Sequence, residues 1–275
     1  MSAPNRTEVS PTSVKSGQMW SPTESPPSDI GEQMEETGIA GPFRSGQQAQ
    51  SMGTPALRKG VQLWGAAISP WTVSAGKRVF DLACAVPLAL VTLPLMACIA
   101  VAIRLSSPGP VLFRQRRCGL NGHEFELLKF RTMHHRREQM GPGVTRAGDT
   151  RVTRIGRRLR KWKLDELPQF FNVLSGDMSM VGPRPDLAEY VAHLPPQLRG
   201  VLRLRPGITG WATLRYRNEE QVLANVPAGR QNDFYVRALL PRKARLDLAY
   251  GHRATLWTDL SVLARTVLAI AKKPS

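Results

Sequence analysis

The chain has 275 residues and a formal charge of +17, with 42% hydrophobic and 21% charged residues. That length suits one folded core with an appendage, and the positive charge predicts an anionic partner: nucleic acid, acidic lipid or a phosphorylated small molecule. The three cysteines form no metal-type pair and leave one over in any disulfide scheme, which excludes a secreted disulfide scaffold. The first residues lack a basic-then-apolar run, so no secretory signal peptide is predicted.

The first 70 residues are rich in serine, proline, glycine and glutamine and carry almost no net charge. They contain few aromatic or β-branched side chains, so burial could not offset the entropy lost on ordering. We predict a disordered tail over residues 1–70, within which residues 61–68 could dock as a brief helix. Its composition suggests a regulatory or partner-docking role. The excess positive charge therefore lies in residues 71–275.

Residues 82–103 form a run of 22 residues without a charged side chain, long enough to cross a bilayer core. A buried helix of a soluble core is the alternative, although such a helix usually has a polar face. Pro87 and Pro94 each remove a backbone donor and bend a helix, and basic residues flank both ends of the run. Because positive flanks favour the cytoplasmic side, we predict a re-entrant helix over residues 71–105 that breaks near Pro94 and returns. Thr92 could bind a carbonyl freed by the break.

Residues 106–275 have the mixed pattern of a folded domain. Strands are predicted at residues 111–113 and 123–130 around Asn121-Gly122, a strong hairpin signal. Helical patterns follow at residues 154–162, 167–174, 186–193 and 257–270. The last helix could pack in the core or lie in the membrane interface, and Arg265 with the lysines after it favours the interface. The predicted fold class is α+β, mainly helical: a monotopic membrane protein with a proline-broken re-entrant helix, interfacial amphipathic helices and a small β-hairpin.

The stretch 164–169, LDELPQ, carries two adjacent carboxylates, Asp165 and Glu166. Pro168 belongs in the first turn of a helix, so both acids should lie near a helix N-terminus, whose positive end favours carboxylate and attracts phosphate. An ordinary acidic helix start is the alternative, and a surface facing anionic lipid would explain many of the nearby basic residues. Arginines upstream, among them Arg160, and downstream at Arg184 indicate phosphate chemistry. There an aspartate can attack phosphorus while its neighbour holds a divalent cation.

Six landmarks follow one another along the chain. They are KRVFD (77–81), SPGPVLFRQ (107–115), KFRTM (129–133), TRIGRRLR (153–160), LDELPQFFNVLSGDMSMVGPRP (164–185) and RPGITGWA (205–212). In this order they resemble the bacterial polyprenyl-phosphate sugar-phosphate transferases, the small monotopic phosphoglycosyl transferases that initiate exopolysaccharide or O-antigen assembly. The resemblance runs from about residue 77 to residue 271.

The resemblance implies a two-step reaction at the acidic pair. Asp165 would attack the β-phosphate of a UDP-sugar, expel UMP and carry the sugar phosphate covalently until undecaprenyl phosphate takes it. Glu166 would help to bind Mg²⁺, which shields the diphosphate. The re-entrant helix of the family breaks at a proline that matches Pro94.

The resemblance also implies roles outside the acidic pair. Arg160, Arg184 and Arg217 would contact substrate phosphates, and Asp247 occupies a recurring acidic position near the site. The implied partners are UDP-sugar, undecaprenyl phosphate and inner-membrane lipids, with no nucleic acid and with a possible homo-oligomer. The protein would lie on the bacterial inner (cytoplasmic) membrane, with a catalytic domain of residues 106–275 facing the cytoplasm.

Three departures from the family pattern bear on function. Leu93 stands where a serine usually precedes the kink proline, so the kink must be stabilised differently. Lys163 stands where Ser or Thr often caps the helix of the acidic pair, so that Asp165 itself could be the cap. Residues 212–220 replace the commoner AQVNGRN pattern, and the sugar of the donor is therefore not assigned.

Two other functions stay open on composition alone. One is a membrane-anchored basic nucleic-acid-binding protein, against which stand the lack of RNP-like aromatic residues and of zinc-ligand spacing. The other is a non-catalytic scaffold of a polysaccharide-export complex. Gly207 and Gly210 could either let the backbone approach a ligand or shape a structural loop.

Overall fold

The structure, a computed structural model, describes residues 67–134, 144–227 and 229–272, so the predicted tail lies outside it except for residues 67–70. The helices are α1 (Ala75–Ser106), α2 (Arg154–Lys161), α3 (Gln169–Ser175), α4 (Ala188–Ala192), α5 (Trp211–Arg215), α6 (Glu219–Ala224), α7 (Gln231–Phe234), α8 (Leu240–Arg253) and α9 (Leu256–Ala271). The strands are β1 (Leu112–Cys118), β2 (Glu124–Phe130), β3 (Ser179–Val181) and β4 (Gly207–Thr209). Short 3-10 turns cover Pro70–Val73, Leu120–Gly122, Leu164–Glu166 and Pro196–Arg203, and a π-helical stretch, Tyr235–Leu239, joins α7 to α8. The described residues are mainly helical, as predicted; of their two small sheets, one is the predicted hairpin and the other was not predicted.

The apolar run lies inside α1, a 32-residue helix. Ser74 caps this helix, because its hydroxyl accepts the backbone N–H of Lys77 at 3.0 Å. The most apolar 18-residue window has a mean hydropathy of 2.5, and 22% of that window is buried. By length and composition α1 could cross a membrane, and its exposure does not fit the alternative of a core helix in a soluble domain.

The helical backbone of α1 continues through both Pro87 and Pro94. Thr92 lies between them and donates its hydroxyl to the carbonyl of Leu88 at 2.7 Å. The prediction that Thr92 binds a carbonyl freed by a break near Pro94 is wrong. Pro94 leaves the carbonyl of Leu90 without a backbone donor, whereas Thr92 binds the carbonyls of Leu88 and Ala89.

Both ends of α1 pack against the same part of the domain. At its N-terminal end, Arg78 donates to the carbonyls of Val173 and Leu174 in α3, at 2.6 and 2.9 Å. At its C-terminal end, α1 enters a hydrophobic core with β2, α2 and the turn before α3. That core contains Met96, Ile99, Ile103, Phe130 and Leu159, with Leu164 and Leu167 packed against them. Between the two contacts Leu90 and Val91 are 61% and 77% exposed.

A buried ion cluster fixes the N-terminal end of α1 to three other elements. Lys77 Nζ lies 3.0 Å from the Asp81 carboxylate and 2.9 Å from that of Asp259 in α9. Asp81 also accepts the backbone N–H of Met180 in β3 at 3.0 Å, and Tyr250 of α8 donates its hydroxyl to Asp259 at 2.7 Å. All three charged side chains are buried. Because a buried charge is stable only when it is paired, these contacts tie the helix to the domain in one position.

The predicted hairpin is confirmed by β1 and β2, which pair antiparallel with Leu112 opposite Phe130. Asn121 and Gly122 in the connection have φ values of 55° and 81°. Asn and Gly are the residues that tolerate this left-handed backbone best, which explains the turn. Strand β1 is longer than predicted and ends at Cys118.

Strands β3 and β4 form a second pair, which is parallel and has Val181 opposite Thr209. A Cβ at Gly207 would lie 2.1 Å from the Gly182 nitrogen, and one at Gly210 would lie 2.2 Å from the Gly182 oxygen. Any larger residue would clash with this backbone. Of the two interpretations of Gly207 and Gly210, the structure supports the structural one: they let two backbone segments pack closely.

The predicted helices at residues 154–162 and 257–270 correspond to α2 and α9. The one at 167–174 begins two residues later as α3, and the one at 186–193 shortens to α4. Helix α9 buries Asp259 and Val262 but leaves Trp257 77% and Val267 66% exposed. Packing of this apolar face in the core, one of the two alternatives, is therefore wrong.

Candidate active site

Asp165 and Glu166 lie in the 3-10 turn that joins α2 to α3. Lys163 precedes the turn with φ 56° and ψ 20°, a left-handed conformation that redirects the chain after α2. Pro168 has no N–H to continue an α-helical ladder, and α3 begins only at Gln169. The acidic pair therefore precedes the α-helix by one turn and does not form its first turn. Lys163 supplies no side-chain cap.

Asp165 is 6% exposed, and its Oδ1 has no hydrogen-bond partner among the residues that the structure describes. Burial raises the pKa of this carboxyl and the neighbouring Glu166 raises it further, whereas Lys129 and Arg160 act in the opposite direction. A buried carboxylate oxygen without a hydrogen bond is poorly stabilised when the group is ionised. Such an oxygen is suited to bond to an electrophile, because forming that bond neutralises a charge that the surroundings stabilise poorly.

Glu166, in contrast, is paired with two cations. Arg184 makes a two-point contact, with Nη2 2.7 Å from Oε1 and Nη1 3.4 Å from Oε2, and Lys129 Nζ lies 3.5 Å from Oε1. Although burial alone would raise the pKa of Glu166, Arg184 and Lys129 hold it well below its usual range. The Glu166 carboxylate in turn raises the pKa of Arg184. Two adjacent carboxyls with opposite pKa shifts are suited to two different roles.

Lys129 is a site residue that the sequence analysis did not single out, although it begins the landmark KFRTM. Burial lowers its pKa to about 8, while Glu166 acts to raise it. Asn172 of α3 fixes its strand in place, because its amide accepts from the backbone of Leu128 at 2.9 Å and donates to the carbonyl of Glu126 at 2.8 Å. The sequence signal that could have identified Lys129 was its single charge within the otherwise apolar stretch LLKF, residues 127–130.

Arg160 reaches the site from α2. Its Nε donates to the Thr132 hydroxyl at 2.9 Å, and its Nη1 lies 3.2 Å from Glu220. Thr153 caps α2 by accepting the backbone N–H of Gly156 at 2.9 Å. A Cβ at Gly156 would lie 2.1 Å from the Thr132 carbonyl oxygen. The glycine therefore lets α2 pack closely on the end of β2, which brings Arg160 near Asp165.

The structure places the other two predicted site residues differently. Arg217 lies exposed in the turn between α5 and α6, and the described residues give it no hydrogen bond or ion pair. Its contact with phosphate stays a prediction. Asp247 is buried in α8 and accepts the backbone N–H of Ala212 at 3.2 Å. Burial raises its pKa to about 7, against the opposing effects of Ala212 and Lys243. Asp247 lines a small cleft together with Arg184 and Lys243.

A buried polar chain, also absent from the sequence analysis, lies beside Arg184 in the same cleft. Tyr235 donates its hydroxyl to Asp186, two residues after Arg184. Lys243 Nζ donates to the Tyr235 oxygen and to Glu219, both at 2.9 Å. Although burial would lower the pKa of Lys243, the Glu219 carboxylate and Tyr235 hold it well above its usual range. The loop that carries Arg184 is thus anchored to α6, α8 and the π-helical stretch.

The acidic pair fits a divalent cation whose coordination is completed by substrate. The part of the chain that the structure describes contains no cluster of three or more His, Cys, Asp or Glu residues suited to a metal. Mg²⁺ is commonly held by one or two carboxylates together with water and substrate phosphates. A carboxylate offers about four acceptor positions, so Glu166 keeps some beside its contacts with Arg184 and Lys129. The unpartnered Oδ1 of Asp165 is a further oxygen donor.

Comparison with known proteins adds to this geometry. A family model described as bacterial sugar transferase matches residues 72–273. The chain is 42% identical over 200 residues to a Caulobacter vibrioides protein named UDP-glucose:undecaprenyl-phosphate glucose-1-phosphate transferase, a match that covers 71% of this chain and 69% of that protein.

Two further relatives differ in length and in their names. An Aeromonas hydrophila protein named UDP-N-acetylgalactosamine-undecaprenyl-phosphate N-acetylgalactosaminephosphotransferase is 38% identical over 197 residues, with 70% of this chain and 43% of that protein covered. An uncharacterized sugar transferase of Bacillus subtilis is 36% identical over 191 residues, with 70% and 85% covered. The chain thus spans less than half the length of the Aeromonas relative.

Proposed function

Because the chain belongs to the bacterial sugar transferase family, we propose that it is a phosphoglycosyl transferase that moves a sugar 1-phosphate from a UDP-sugar to undecaprenyl phosphate and releases UMP. The product would begin the assembly of an exopolysaccharide, an O-antigen or a related glycan. The relatives at 38–42% identity are named for glucose and for N-acetylgalactosamine, so similarity does not select the sugar. The observation that carries the proposal is that the buried Oδ1 of Asp165 has no partner among the described residues, beside a Glu166 that is already paired.

Asp165 is the nucleophile of the first displacement. One of its carboxylate oxygens forms a bond to the β-phosphorus of the donor, and the bond from that phosphorus to the bridging oxygen breaks, so that UMP leaves with the electron pair. In the second displacement a phosphate oxygen of undecaprenyl phosphate attacks the same phosphorus and restores the carboxylate. No general acid is needed, because each leaving oxygen belongs to a phosphate or a carboxylate that is stable as an anion.

The neighbouring charges neutralise and position the diphosphate, which supplies most of the catalysis in phosphoryl transfer. Arg160 and Arg184 would contact phosphate oxygens, and Lys129, which lies beside Glu166 together with Arg184, would be a third cation. Arg217 would join them when the exposed turn closes on the donor. Mg²⁺ held by Glu166 and the diphosphate would supply charge neutralisation. Glu166, kept ionised by Arg184, is suited to that role, and Asp247 would tune the charge of the cleft beside Arg184.

We further propose that α1 is re-entrant and holds the site at the inner face of the bacterial cytoplasmic membrane. A straight helix would separate Arg78 from Met96 by about 27 Å, whereas the segment from residue 167 to residue 174 covers only about 10 Å if it is helical. Arg78 contacts the end of that segment, and Met96 belongs to the hydrophobic core against which Leu167 packs. These two attachments favour a helix bent between Pro87 and Pro94. Basic residues at both flanks favour the same side of the membrane. The exposed apolar face of α9 would lie in the interface.

A UMP-release assay tests the proposed reaction. The full chain in lipid nanodiscs is incubated with Mg²⁺, undecaprenyl phosphate and, in turn, UDP-glucose, UDP-galactose and their N-acetylated analogues. We expect at least one donor to yield UMP. Asp165→Asn should lower the rate by at least about a thousandfold, because it removes the nucleophile. Glu166→Gln and EDTA should also abolish turnover.

The exposed Asp177 supplies the matched control, since Asp177→Asn removes a carboxylate just beyond α3 and should leave the rate unchanged. Full activity of Asp165→Asn, or no UMP from any donor, would contradict the proposal. Salt-dependent retention on nucleic acid without turnover would instead favour the nucleic-acid-binding alternative, and an inert chain that captures export proteins would favour the scaffold.

A further inference from the structure

Gln169, the first residue of α3, is 2% exposed, yet its Nε2 has no hydrogen-bond partner among the described residues. Leaving a buried hydrogen-bond donor unpaired is destabilising, so such a group needs an explanation. Within the part of the chain that the structure describes, no hydrogen bond of Nε2 explains why this amide is buried. Another buried glutamine of this chain, Gln231, behaves differently: its amide donates to the Val226 carbonyl at 3.1 Å and accepts from Gly229 at 3.0 Å.

The position of Gln169 relative to Asp165 supplies the explanation. Between them, Leu167 has φ −53° and ψ −38° and Pro168 has φ −61° and ψ −15°. Helical angles of this kind keep the chain compact, so about one turn separates Gln169 from Asp165. One turn of the chain thus carries an unpaired buried acceptor, Asp165 Oδ1, and an unpaired buried donor, Gln169 Nε2.

We propose that the carboxamide of Gln169 donates a hydrogen bond to a non-bridging oxygen of the phosphoryl group that Asp165 attacks. This inference rests on the proposed function. When Asp165 lies in line with the phosphorus, the non-bridging oxygens are the substrate acceptors nearest to the next turn of the helix. The amide moves no proton and forms no bond to phosphorus. It compensates the negative charge of these oxygens during transfer, and substrate binding gives the buried donor the partner that it lacks.

Gln169→Met tests the inference, because the methionine side chain has a similar length and no hydrogen-bond donor. One readout is the single-turnover rate of UMP release from the UDP-sugar in the presence of Mg²⁺ and without undecaprenyl phosphate. The other is the stability of the chain to denaturant. We expect a loss of about 10- to 100-fold in that rate, the range of one hydrogen bond to a charged group. Stability should not fall, since an unpaired polar group is removed from the interior. The matched control, Gln231→Met, should lower stability and leave the rate of the folded fraction unchanged.

A UDP-sugar with sulfur in place of one non-bridging oxygen of the β-phosphate shows whether Gln169 contacts the phosphate or has only a structural role. Sulfur accepts hydrogen bonds poorly, so wild type should react more slowly with one of the two diastereomers. In Gln169→Met that extra slowing should shrink by about tenfold, because the hydrogen bond is already lost. Equal slowing in both proteins, or an unchanged rate with the ordinary donor, would overturn the inference. If wild type itself shows no single-turnover UMP release, the proposed function fails, and the inference falls with it.

Discussion

At the scale of single residues, the feature that matters most is how differently two neighbouring carboxyls are surrounded. Burial and Glu166 raise the pKa of Asp165, which has no hydrogen bond at Oδ1. Arg184 and Lys129 keep the pKa of Glu166 low in spite of its burial. The chain thereby keeps one carboxylate reactive and the other permanently charged. Adjacent positions can differ so much because Arg184 and Lys129 make direct ion pairs with Glu166, whereas Lys129 and Arg160 act on Asp165 without an ion pair among the described residues.

The pKa of Lys129 leads to a prediction about pH. Burial lowers it to about 8, so the ammonium loses its proton, and with it its positive charge, as the pH rises through that value. We expect the KM for the UDP-sugar, measured at saturating Mg²⁺, to rise by up to about tenfold between pH 7.5 and pH 9.5. Lys129→Arg should keep a nearly constant KM over this range, because arginine stays charged. A rise of the same size in Lys129→Arg would show that another group is responsible.

At the scale of elements, the chain depends on the attachment of α1 at both ends. Its C-terminal turns lie in the hydrophobic core, and its N-terminal turn is held by the buried cluster of Lys77, Asp81 and Asp259. The apolar helix is therefore part of the fold of the domain, and its position sets that of α3 through Arg78. Because α3 begins one turn after the acidic pair, a displacement of the apolar helix α1 would move the site.

The buried cluster predicts an order of stabilities. Lys77→Met leaves two carboxylates buried without their cation and should lower the free energy of unfolding by about 3–5 kcal/mol. Asp259→Asn leaves the Lys77–Asp81 pair intact and should cost about 1–3 kcal/mol. Arg265→Gln, on an exposed position of the same helix α9, serves as the control and should change stability by less than about 0.5 kcal/mol. Denaturant unfolding in detergent micelles measures all three, and a larger cost for Asp259→Asn than for Lys77→Met would refute the account of the cluster.

The proposed bend of α1 predicts which side of the membrane the two ends of the helix occupy. In a chain without its native cysteines, Ala75→Cys and Ser106→Cys report on the two ends, and Val91→Cys reports on the exposed middle. A membrane-impermeant maleimide added to spheroplasts should label neither end until the membrane is permeabilised, because basic residues retain both flanks in the cytoplasm. Val91→Cys should stay unlabelled throughout. Labelling of Ala75→Cys in intact spheroplasts would mean that α1 spans the bilayer.

At the scale of the whole molecule, the sequence predicted those features that depend on local chemistry. Asn121-Gly122 predicted the hairpin, the apolar run predicted α1, and the ordered landmarks predicted the family. Three features depended on tertiary packing and were missed. Helix α8 buries Lys243 and Asp247, which interrupt its apolar pattern, and strands β3 and β4 have only three residues each. The left-handed Lys163 that moves the acidic pair out of α3 has no local sequence signal.

The site was predicted to the same extent. The sequence motifs that carry Asp165, Glu166, Arg160 and Arg184 come together in the fold. Arg184 contacts Glu166, the neighbour of Asp165, and Arg160 lies close to Asp165. Lys129 and Gln169 could not be selected from the sequence, since a charged strand residue and a helix-starting glutamine are ordinary on a surface. Their significance comes from burial, which only the packing of α2, α3 and β2 reveals.

Covalent attachment of the sugar phosphate to Asp165 is the central claim, and mass spectrometry of the intact chain tests it most directly. The full chain is mixed with a UDP-sugar that supports turnover and with Mg²⁺, but without undecaprenyl phosphate, and is quenched within one turnover. We expect one sugar phosphate per chain, located on the peptide that contains residue 165, lost on addition of undecaprenyl phosphate and absent in Asp165→Asn. A chain that turns over normally with acceptor, yet never gains this mass with donor alone, would contradict the account.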